Sequence, residues 1–322
     1  MFGEYSPRIL KLSEYENAIF LCNDVFRSAY GRPRDMEDSF RHVLNYDNIN
    51  RMVGIFHGKQ LVSFMTYLPL TYNIRGRKYI FMGISCVCTH PNFRKRGYAG
   101  NCLEYSLQIA REEGCDASIL LPGAGAEEFY KKRGYWITGA KLELNLIYSD
   151  EGSTISSCEV IPVSLLPNIP PGIDKDREIA ESIRTKELIV SLSSISRFSK
   201  YELRSQGRLA YIVLWKTSEE IDMDQLNKID VGEYGGDAQV LEQYFISMAR
   251  KNKSVILSGP NNGFLKILVG KYPKSKLEIK SPYMMRILNP NAFVKNGYEE
   301  GKKKEQEFYN NFPLFIWGVE TF

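Results

Sequence analysis

The chain has 322 residues, of which 43% are hydrophobic and 12% aromatic, so it can bury packed cores and is not a disordered chain. Its length suggests about two domains. The 42 lysines and arginines nearly balance the 38 aspartates and glutamates, and the net charge of +4 argues against a nucleic-acid-binding protein.

The first residues and the cysteines indicate a cytoplasmic protein. The start, residues 1–4, lacks the charged and apolar regions of a secretion signal, and the six cysteines are spread along the chain as reduced thiols would be. Cys86 and Cys88 have no second Cys/His pair at zinc-ligand spacing, so we expect no metal. No uncharged run reaches the ~20 apolar residues of a membrane span, so we expect no membrane partner.

The first part of the chain predicts alternating helices and strands. Its signals are apolar residues at helical spacing, glycine turns and short apolar runs. In chain order they predict a helix over residues 15–30, strands over 51–56, 60–68 and 79–88, a helix over 98–113, a strand over 117–121, a short helix over 127–133 and a strand over 142–148. Because the third strand is almost wholly apolar, we expect it in the centre of a sheet.

The second part repeats this order in outline. A polar stretch near residue 150 predicts a linker between domains 1–150 and 151–322. The later signals predict strands over 209–216 and 228–231, a glycine turn at 232–237, a helix over 240–250, a strand over 254–257 and a helix opening after 260–263. The predicted fold class is α/β (α+β), with two related domains, each a mixed, mostly antiparallel sheet flanked by helices.

A cation-rich turn follows the predicted central strand, in the stretch CTHPNFRKRGYAGNCL, residues 88–103. Arg94, Lys95 and Arg96 come directly before Gly97, and the predicted helix follows. A glycine turn between a buried strand and a helix directs backbone N–H groups toward an anion, and the cations add positive charge there. The glycine patterns of triphosphate and dinucleotide sites are absent. The stretch therefore predicts a site for a pyrophosphate attached to a flexible thiol arm.

The pattern Arg94-x-x-Gly97-x-Ala99 resembles the coenzyme A pyrophosphate loop of the GNAT superfamily of N-acetyltransferases. The later stretch EEFYKKRGY, residues 127–135, is similar to the family segment in which a tyrosine lies near the coenzyme sulfur. The resemblance implies acetyl-CoA as acyl donor, with its pantetheine arm bonded to a splayed strand as an extra strand would be. The implied binding residues are Cys86, Val87 and Cys88 for the arm and Arg94, Lys95, Arg96, Gly97, Tyr98, Ala99 and Gly100 for the pyrophosphate.

The same resemblance makes Tyr130 the candidate general acid. A phenol with an ordinary pKa near ~10 can protonate a departing thiolate in a shielded pocket. The alternative for this residue is a packing aromatic whose hydroxyl lies at the surface.

The general base is left open by the sequence. The strand over residues 79–88 contains no acid, and His90, which follows it, is one candidate. The order of an active GNAT half, a degenerate half and a terminal phenylalanine resembles the Eis-type acetyltransferases, in which the terminal carboxylate acts as base. Phe322, at the end of the apolar stretch FPLFIWGVETF, would supply that carboxylate, and water is the third candidate. The residues after Asn289 are too few for the third, sterol-carrier-like domain of those proteins.

The second half is predicted to be a degenerate scaffold. Its glycine turn contains Glu233 and Asp237 and no lysine or arginine, and carboxylates would repel a pyrophosphate. We expect this half to cover the acceptor pocket of the first, with the carboxy-terminal tail returning to the active site.

Together these features predict an acetyl-CoA-dependent N-acetyltransferase whose acceptor is a primary amine of a small molecule or peptide. Asp35, Glu37 and Asp38 could form an acidic lip for a cationic amine, or belong to an ordinary surface loop. Two alternatives stay open: a non-catalytic acyl-CoA-binding or regulatory protein, and a transferase that uses another acyl-CoA donor. The sequence does not decide the oligomeric state.

Overall fold

The computed structural model describes residues 5–139, 141–148, 158–215, 228–251, 254–260, 263–280, 283–315 and 317. Within these ranges the chain forms two sheets flanked by helices. The α-helices are α1 (Tyr15–Phe26), α2 (Met36–Ser39), α3 (Tyr98–Glu112), α4 (Glu127–Lys131), α5 (Asp174–Arg177), α6 (Lys186–Ser193), α7 (Ala238–Arg250), α8 (Phe264–Lys271) and α9 (Lys302–Asn311). Over the described ranges, no helix combines the length and apolar character needed to span a membrane.

Among the described residues, eight strands form the first sheet. They are β1 (Arg8–Ile9), β2 (Met52–His57), β3 (Gln60–Ile74), β4 (Arg77–Thr89), β5 (Ala117–Leu120), β6 (Trp136–Thr138), β9 (Ala180–Ile183) and β15 (Tyr283–Ile287). Their order is β1-β2-β3-β4-β5-β15-β6, and β9 pairs with β3. The pairs are antiparallel except β4–β5, which is parallel and is connected by α3.

The second sheet contains the other seven described strands. They are β7 (Lys141–Leu146), β8 (Glu159–Pro162), β10 (Phe198–Ser205), β11 (Arg208–Trp215), β12 (Lys228–Gly236), β13 (Ser254–Pro260) and β14 (Lys276–Lys280). Their order is β14-β7-β13-β12-β11-β10-β8, and the parallel pair is β12–β13, connected by α7. The predicted fold class of two mixed, mostly antiparallel sheets flanked by helices is confirmed.

Each sheet includes strands from the other half of the chain: β9 and β15 lie in the first sheet, and β7 lies in the second. β15 lies antiparallel between β5 and β6, so that Met285 is opposite Ile119 on one side and Trp136 on the other. Conversely, β7 lies between β13 and β14, where Leu144 is opposite Leu257 and Leu277. The exchange crosses the division predicted at residue 150, because each sheet contains strands from both sides of it.

The end of the described chain connects the two cores. Phe312 and Leu314 are buried with β15 and α9 against the first sheet, whereas Phe315 and Trp317 are buried in the core of the second. The terminal residue, Phe322, lies outside the described residues.

One predicted element is corrected by the structure. The glycine run at 232–237 is not a turn, because β12 continues through it to Gly236. Its glycines make room for close neighbours: a side chain at Gly232 would contact the Trp215 indole, and one at Gly235 would contact the Tyr211 ring and the Pro170 carbonyl. The turn before α7 is therefore confined to Gly236, whose φ is 99°, and Asp237.

Candidate active site

The centre of the first sheet opens into a slot between β4 and β5. These parallel strands are paired only from Phe81, opposite Ala117, to Gly83, opposite Ile119. β4 nevertheless continues to Thr89, so its last residues have no partner strand on that side among the described residues. An extended ligand arm can bond to an exposed strand edge of this kind as an added strand.

A bulge in β4 shapes one wall of this slot. The register between β3 and β4 shifts here, because Thr66 is opposite Ser85 and Phe64 is opposite Cys88. Cys86 has a φ of 55°, in the left-handed region that residues other than glycine rarely adopt. A bulge leaves its extra residue out of the ladder and re-aims the strand, and bulges of this kind are frequent beside active sites.

The loop after β4 is built around two left-handed residues. Lys95 has a φ of 63° and Gly97 a φ of 81°. Gly97 is the N-cap of α3 and provides no side-chain cap, and the first turn of the helix contains no acid. The backbone N–H groups of that turn thus keep their capacity to bind an anion.

The cations of this loop have no acidic partner among the described residues. The Nε of Arg94 donates to the carbonyl of Thr89 at 3.1 Å, and Arg96 donates to the carbonyl of Asn92 at 3.3 Å while it lies over the Phe93 ring. The positive charge of the loop is therefore available to a polyanion, which fits the predicted pyrophosphate site.

A cavity of about 660 Å³, here called the loop cavity, lies against this loop. Its lining includes Val87, Arg94, Lys95, Gly97, Tyr98, Ala99 and Gly100 from the predicted set. Arg133 also lines it, and the sequence analysis did not assign it a role. A side chain at Gly100 would collide with the Arg133 guanidinium, so Gly100 lets this cation approach the start of α3. The available signal was its place in the stretch EEFYKKRGY, three residues after Tyr130, although α4 ends at Lys131 and Arg133 lies in the turn after it.

A second cavity, also of about 660 Å³ and here called the inner cavity, continues the slot toward α1 and α2. One wall is Ile84, Ser85, Cys86 and Val87 from β4, and another is Leu120, Leu121, Gly123 and Ala124 from the end of β5. The two cavities share Val87, Arg94, Ala124, Ala126 and Tyr130. They therefore adjoin along these five residues, and the two together, from the cationic loop to the inner end of the slot, are here called the channel.

Tyr130 lies on α4 at the junction of the two cavities. Its side chain is buried, and its ring packs against Phe129 and Tyr135, with centroids 5.0 and 5.5 Å away. Burial raises the pKa of Tyr130 to about 12, and the positive charge of Arg133 partly opposes this. The phenol is therefore protonated at neutral pH, as a proton donor must be.

Arg96 lines neither cavity, and three other candidates lie away from the channel or outside the described residues. Cys88 does not line either cavity and is buried with Cys22 of α1 in a neighbouring core cluster. The Nδ1 atom of His90 accepts from the Asn92 N–H at 3.3 Å and caps a short 3-10 helix, and His90 lines neither cavity. The Phe322 carboxylate lies outside the described residues.

The equivalent position in the second sheet is closed by the chain itself. Asp237, the N-cap of α7, accepts from the N–H groups of Gln239 and Val240 at 2.9 and 3.1 Å. Beyond the paired part of β12 and β13, Gly172 donates its N–H to the carbonyl of Tyr234 at 2.7 Å and forms a parallel bridge with Gly235. A carboxylate thus occupies the anion position and a chain segment lies at the strand edge.

Comparison with known proteins agrees with this geometry. Residues 6–138 match the family model described as an acetyltransferase (GNAT) domain. No curated protein sequence matches the chain. Among solved structures, a GCN5-related N-acetyltransferase from Anabaena variabilis superposes with a TM-score of 0.65 at 15% identity, over 89% of this chain and 73% of the other.

Two further structures are similar over nearly the whole chain. A GCN5-related N-acetyltransferase from Kribbella flavida gives a TM-score of 0.63 at 14% identity, over 90% of this chain and 73% of the other. Eis1 from Mycobacterium abscessus gives a TM-score of 0.63 at 12% identity, over 92% of this chain and 77% of the other. These likenesses show a shared fold. The chain therefore contains an acetyltransferase (GNAT) domain at residues 6–138, and it shares its overall fold with the two GCN5-related N-acetyltransferases and with Eis1.

Proposed function

We propose that this protein transfers an acetyl group from acetyl-CoA to a primary amine of a small molecule or peptide. The family carries out acyl transfer, and the observation that supports this particular reaction is the channel formed by the two adjoining cavities. The channel begins at Arg94, Lys95 and Gly97, follows the unpaired edge of β4 and reaches the protonated phenol of Tyr130. That order matches a pyrophosphate, an extended arm and a thioester.

In this proposal the pyrophosphate binds the first-turn N–H groups of α3 and the loop cations, and Arg133 adds a further positive charge. The arm lies along Cys86 and Val87, as implied by the strand edge that the slot exposes. Cys88 contributes only through its backbone, since its side chain packs in the core. A backbone N–H of Val87 or Cys88 polarises the thioester carbonyl.

The chemical step is a direct attack. The neutral amine forms a C–N bond to the carbonyl carbon, the C–S bond breaks, and Tyr130 gives its proton to the departing thiolate. The amine loses one proton, either to the carboxylate of Phe322 or to water. A terminal carboxylate has an ordinary pKa near ~3.5, so it is ionised at neutral pH and can accept that proton. Solvent returns a proton to Tyr130 before the next turnover.

The test measures release of the free thiol of coenzyme A from acetyl-CoA across a broad panel of amines, with binding of coenzyme A followed by calorimetry. We expect binding and amine-dependent thiol release. Binding without release for every amine would favour the non-catalytic acyl-CoA-binding alternative. Release only from a longer acyl thioester would favour a different donor.

The role of the terminal carboxylate has its own test. One alanine added after Phe322 moves the carboxylate while Phe312, Leu314, Phe315 and Trp317 stay buried. We expect a slower rate with the same affinity for coenzyme A. An unaltered rate would leave water as the base.

A further inference from the structure

The inner end of the channel, where an acceptor must bind, is lined by arginines. Arg27 and Arg32, from the segment between α1 and α2, line the inner cavity opposite β4, and Arg94 lines it from the loop side. The described residues contribute no aspartate or glutamate to this lining. A cavity with cations and no carboxylate attracts anions and disfavours cations.

The acids of the neighbouring segment are engaged elsewhere. Asp35 accepts hydrogen bonds from Arg27 and from Ser39. Glu37 accepts from the Tyr15 hydroxyl at 2.7 Å, and Asp38 accepts from Arg41. These three residues, considered from the sequence as an acidic lip, therefore do not line the cavity. Their carboxylates organise the α1–α2 segment.

A fourth cation lies behind the cavity wall. The Arg197 guanidinium is 4.5 Å from the centroid of the Phe40 ring, which lines the cavity, and 5.1 Å from that of Trp215. Burial lowers the pKa of Arg197 to about 10, and the nearby charge of Arg27 acts in the same direction. It remains a cation at neutral pH. The charges of Arg27 and of the Asp35 carboxylate both act on Arg197, so these three groups lie together beside the cavity.

Arg32 presents its charge to an incoming ligand. It lines the cavity, lies 5.8 Å from the centroid of the exposed Tyr30 ring and makes no ion pair with any described residue. The nearby carboxylates of Asp35, Glu37 and Asp38 already accept hydrogen bonds from other residues, so the Arg32 guanidinium can pair with an acidic group of a ligand. A planar guanidinium is well suited to bind a carboxylate through two parallel hydrogen bonds.

We propose that the acceptor amine also carries a carboxylate or similar acidic group, and that Arg32, supported by the charge of Arg27, binds that group. This inference rests on the proposed function and narrows its acceptor to amino acids or acidic amines. The acidic group at Arg32 would position the amine deeper in the inner cavity, toward Val87 and Tyr130, where the thioester lies in the proposed reaction.

The experiment compares acceptors that differ in charge. The first pair is 4-aminobutyrate and 1,4-diaminobutane, and the second is phenylalanine and phenylalanine amide, with thiol release from acetyl-CoA as readout. We expect each acid to have a kcat/KM at least about tenfold above its partner, because one hydrogen-bonded charge pair supplies a difference of that order.

Substitutions assign the preference to one residue. Arg32→Gln is expected to reduce kcat/KM for the acidic acceptors about tenfold, mainly through KM, and Arg32→Glu to reverse the preference. The affinity for coenzyme A should not change. Arg34→Gln is the matched control, since Arg34 is an exposed arginine of the same segment that pairs with Asp24 and does not line the cavity. It should leave the preference intact.

The outcomes separate this inference from the proposed function. Thiol release with diamines at rates equal to or above those with the acids overturns the inference and leaves the transferase in place. The inference is overturned in the same way if Arg32→Glu does not alter the ratio between the acceptors of a pair. Absence of thiol release with all four acceptors and the broader panel overturns both.

Discussion

Gly97 and Asp237 hold equivalent positions, each one residue before a helix that connects the parallel strands of its sheet, but only Asp237 has a side chain that caps the helix. This difference is a physical reason to expect one coenzyme A site per chain. The carboxylate of Asp237 already accepts the N–H groups that a pyrophosphate would need.

Transferring that carboxylate to the first sheet should close the proposed site. Aspartate tolerates the left-handed backbone of Gly97 better than most residues, and a Cβ there meets open space. Gly97→Asp should therefore fold and bind coenzyme A about tenfold to a hundredfold more weakly, because the site loses N–H donors and gains repulsion. Gly97→Asn, which caps without charge, should fall between that variant and the parent chain in calorimetry. Equal binding by all three would contradict a pyrophosphate at this helix.

Replacing Tyr130 tests the proton donor. Tyr130→Phe keeps the ring packing against Phe129 and Tyr135, and we expect kcat to fall about a hundredfold or more while coenzyme A binding is unchanged. Tyr135→Phe is the control, because its hydroxyl bonds to Ser118 at 2.7 Å and does not line either cavity. It should reduce kcat only slightly. With the pKa of Tyr130 raised to about 12, loss of its proton should not reduce the rate below about pH 10. Equal rates for Tyr130→Phe and the parent chain would rule out this acid.

A buried ion pair joins the two sheets and should be sensitive to the loss of either partner. Arg184 follows β9 of the first sheet and donates to both carboxylate oxygens of Glu233 on β12, at 2.9 and 2.6 Å, and Tyr211 donates to the same carboxylate. The Arg184 side chain is 6% exposed and that of Glu233 is 0% exposed. Glu233→Gln should lower the free energy of unfolding by about 3–5 kcal/mol, since the Arg184 cation stays buried while the charge of Glu233 is lost.

The double variant Arg184→Met/Glu233→Gln is the control for this pair. This variant removes both charges. Its loss of unfolding free energy, measured with denaturant, should therefore be smaller than the sum of the losses in Arg184→Met and Glu233→Gln. Additive losses would mean that the two charges do not stabilise each other.

Asp176 should make stability depend on pH. Its carboxylate is buried beside Tyr234, and burial raises its pKa from 3.8 to about 6, although the N–H groups of Phe264 and Ile173 donate to it. A raised pKa means that the folded state favours the protonated acid. Its stabilising contribution is therefore complete below about pH 4 and is lost as the pH rises through about 6, by about 3 kcal/mol in all.

Asp176→Asn removes this dependence, and its free energy of unfolding relative to the parent chain should rise between pH 4 and pH 7. Chemical unfolding across that interval gives the measurement. A constant difference between the two proteins would show that Asp176 does not titrate in it.

Gly139 should tolerate no side chain. It has a φ of 72°, and a Cβ there would collide with the backbone carbonyl of Leu314, where β6 ends and the chain crosses to the second sheet. Gly139→Ala should cost about 1–2 kcal/mol for the left-handed backbone and a further ~1–3 kcal/mol for the clash. Gly297→Ala, with a φ of 87° and open space around its Cβ, should show the backbone cost alone in thermal unfolding. Equal costs would argue against the contact with Leu314.

The sequence was sufficient for the elements whose signals are local. β2, β4 and α3 lie within two residues of their predicted bounds, and β3 begins where predicted but runs six residues further, to Ile74. Turns at Gly58 and Gly76 and an apolar face on α3 specify these elements without help from the rest of the chain. The loop from Arg94 to Gly100 was found for the same reason.

Features that depend on packing between distant segments were missed. Nothing in the five residues of β15 specifies that they pair with β5 and β6, because pairing depends on which strand edges are free after the rest has folded. The glycines at 232 and 235 were predicted to form a turn. They lie instead in a continuous strand, where the absence of a side chain leaves space for the rings of Trp215 and Tyr211. No sequence motif marks Arg27 and Arg32 as site residues. They line the inner cavity only because of how the α1–α2 segment folds.

β7 and β15 each lie in the sheet formed mainly by the other half of the chain, and this arrangement affects how the chain folds during synthesis. The edge of β5 that β15 covers stays without its partner strand until the ribosome has added residue 287. Domains normally fold one after another as they leave the ribosome. A sheet that waits for a strand from a distant segment folds more slowly, and its unpaired strand edge can meanwhile pair with other chains. A nascent chain arrested near residue 150 should therefore be degraded by protease and bound by chaperones, and the two halves should acquire resistance together.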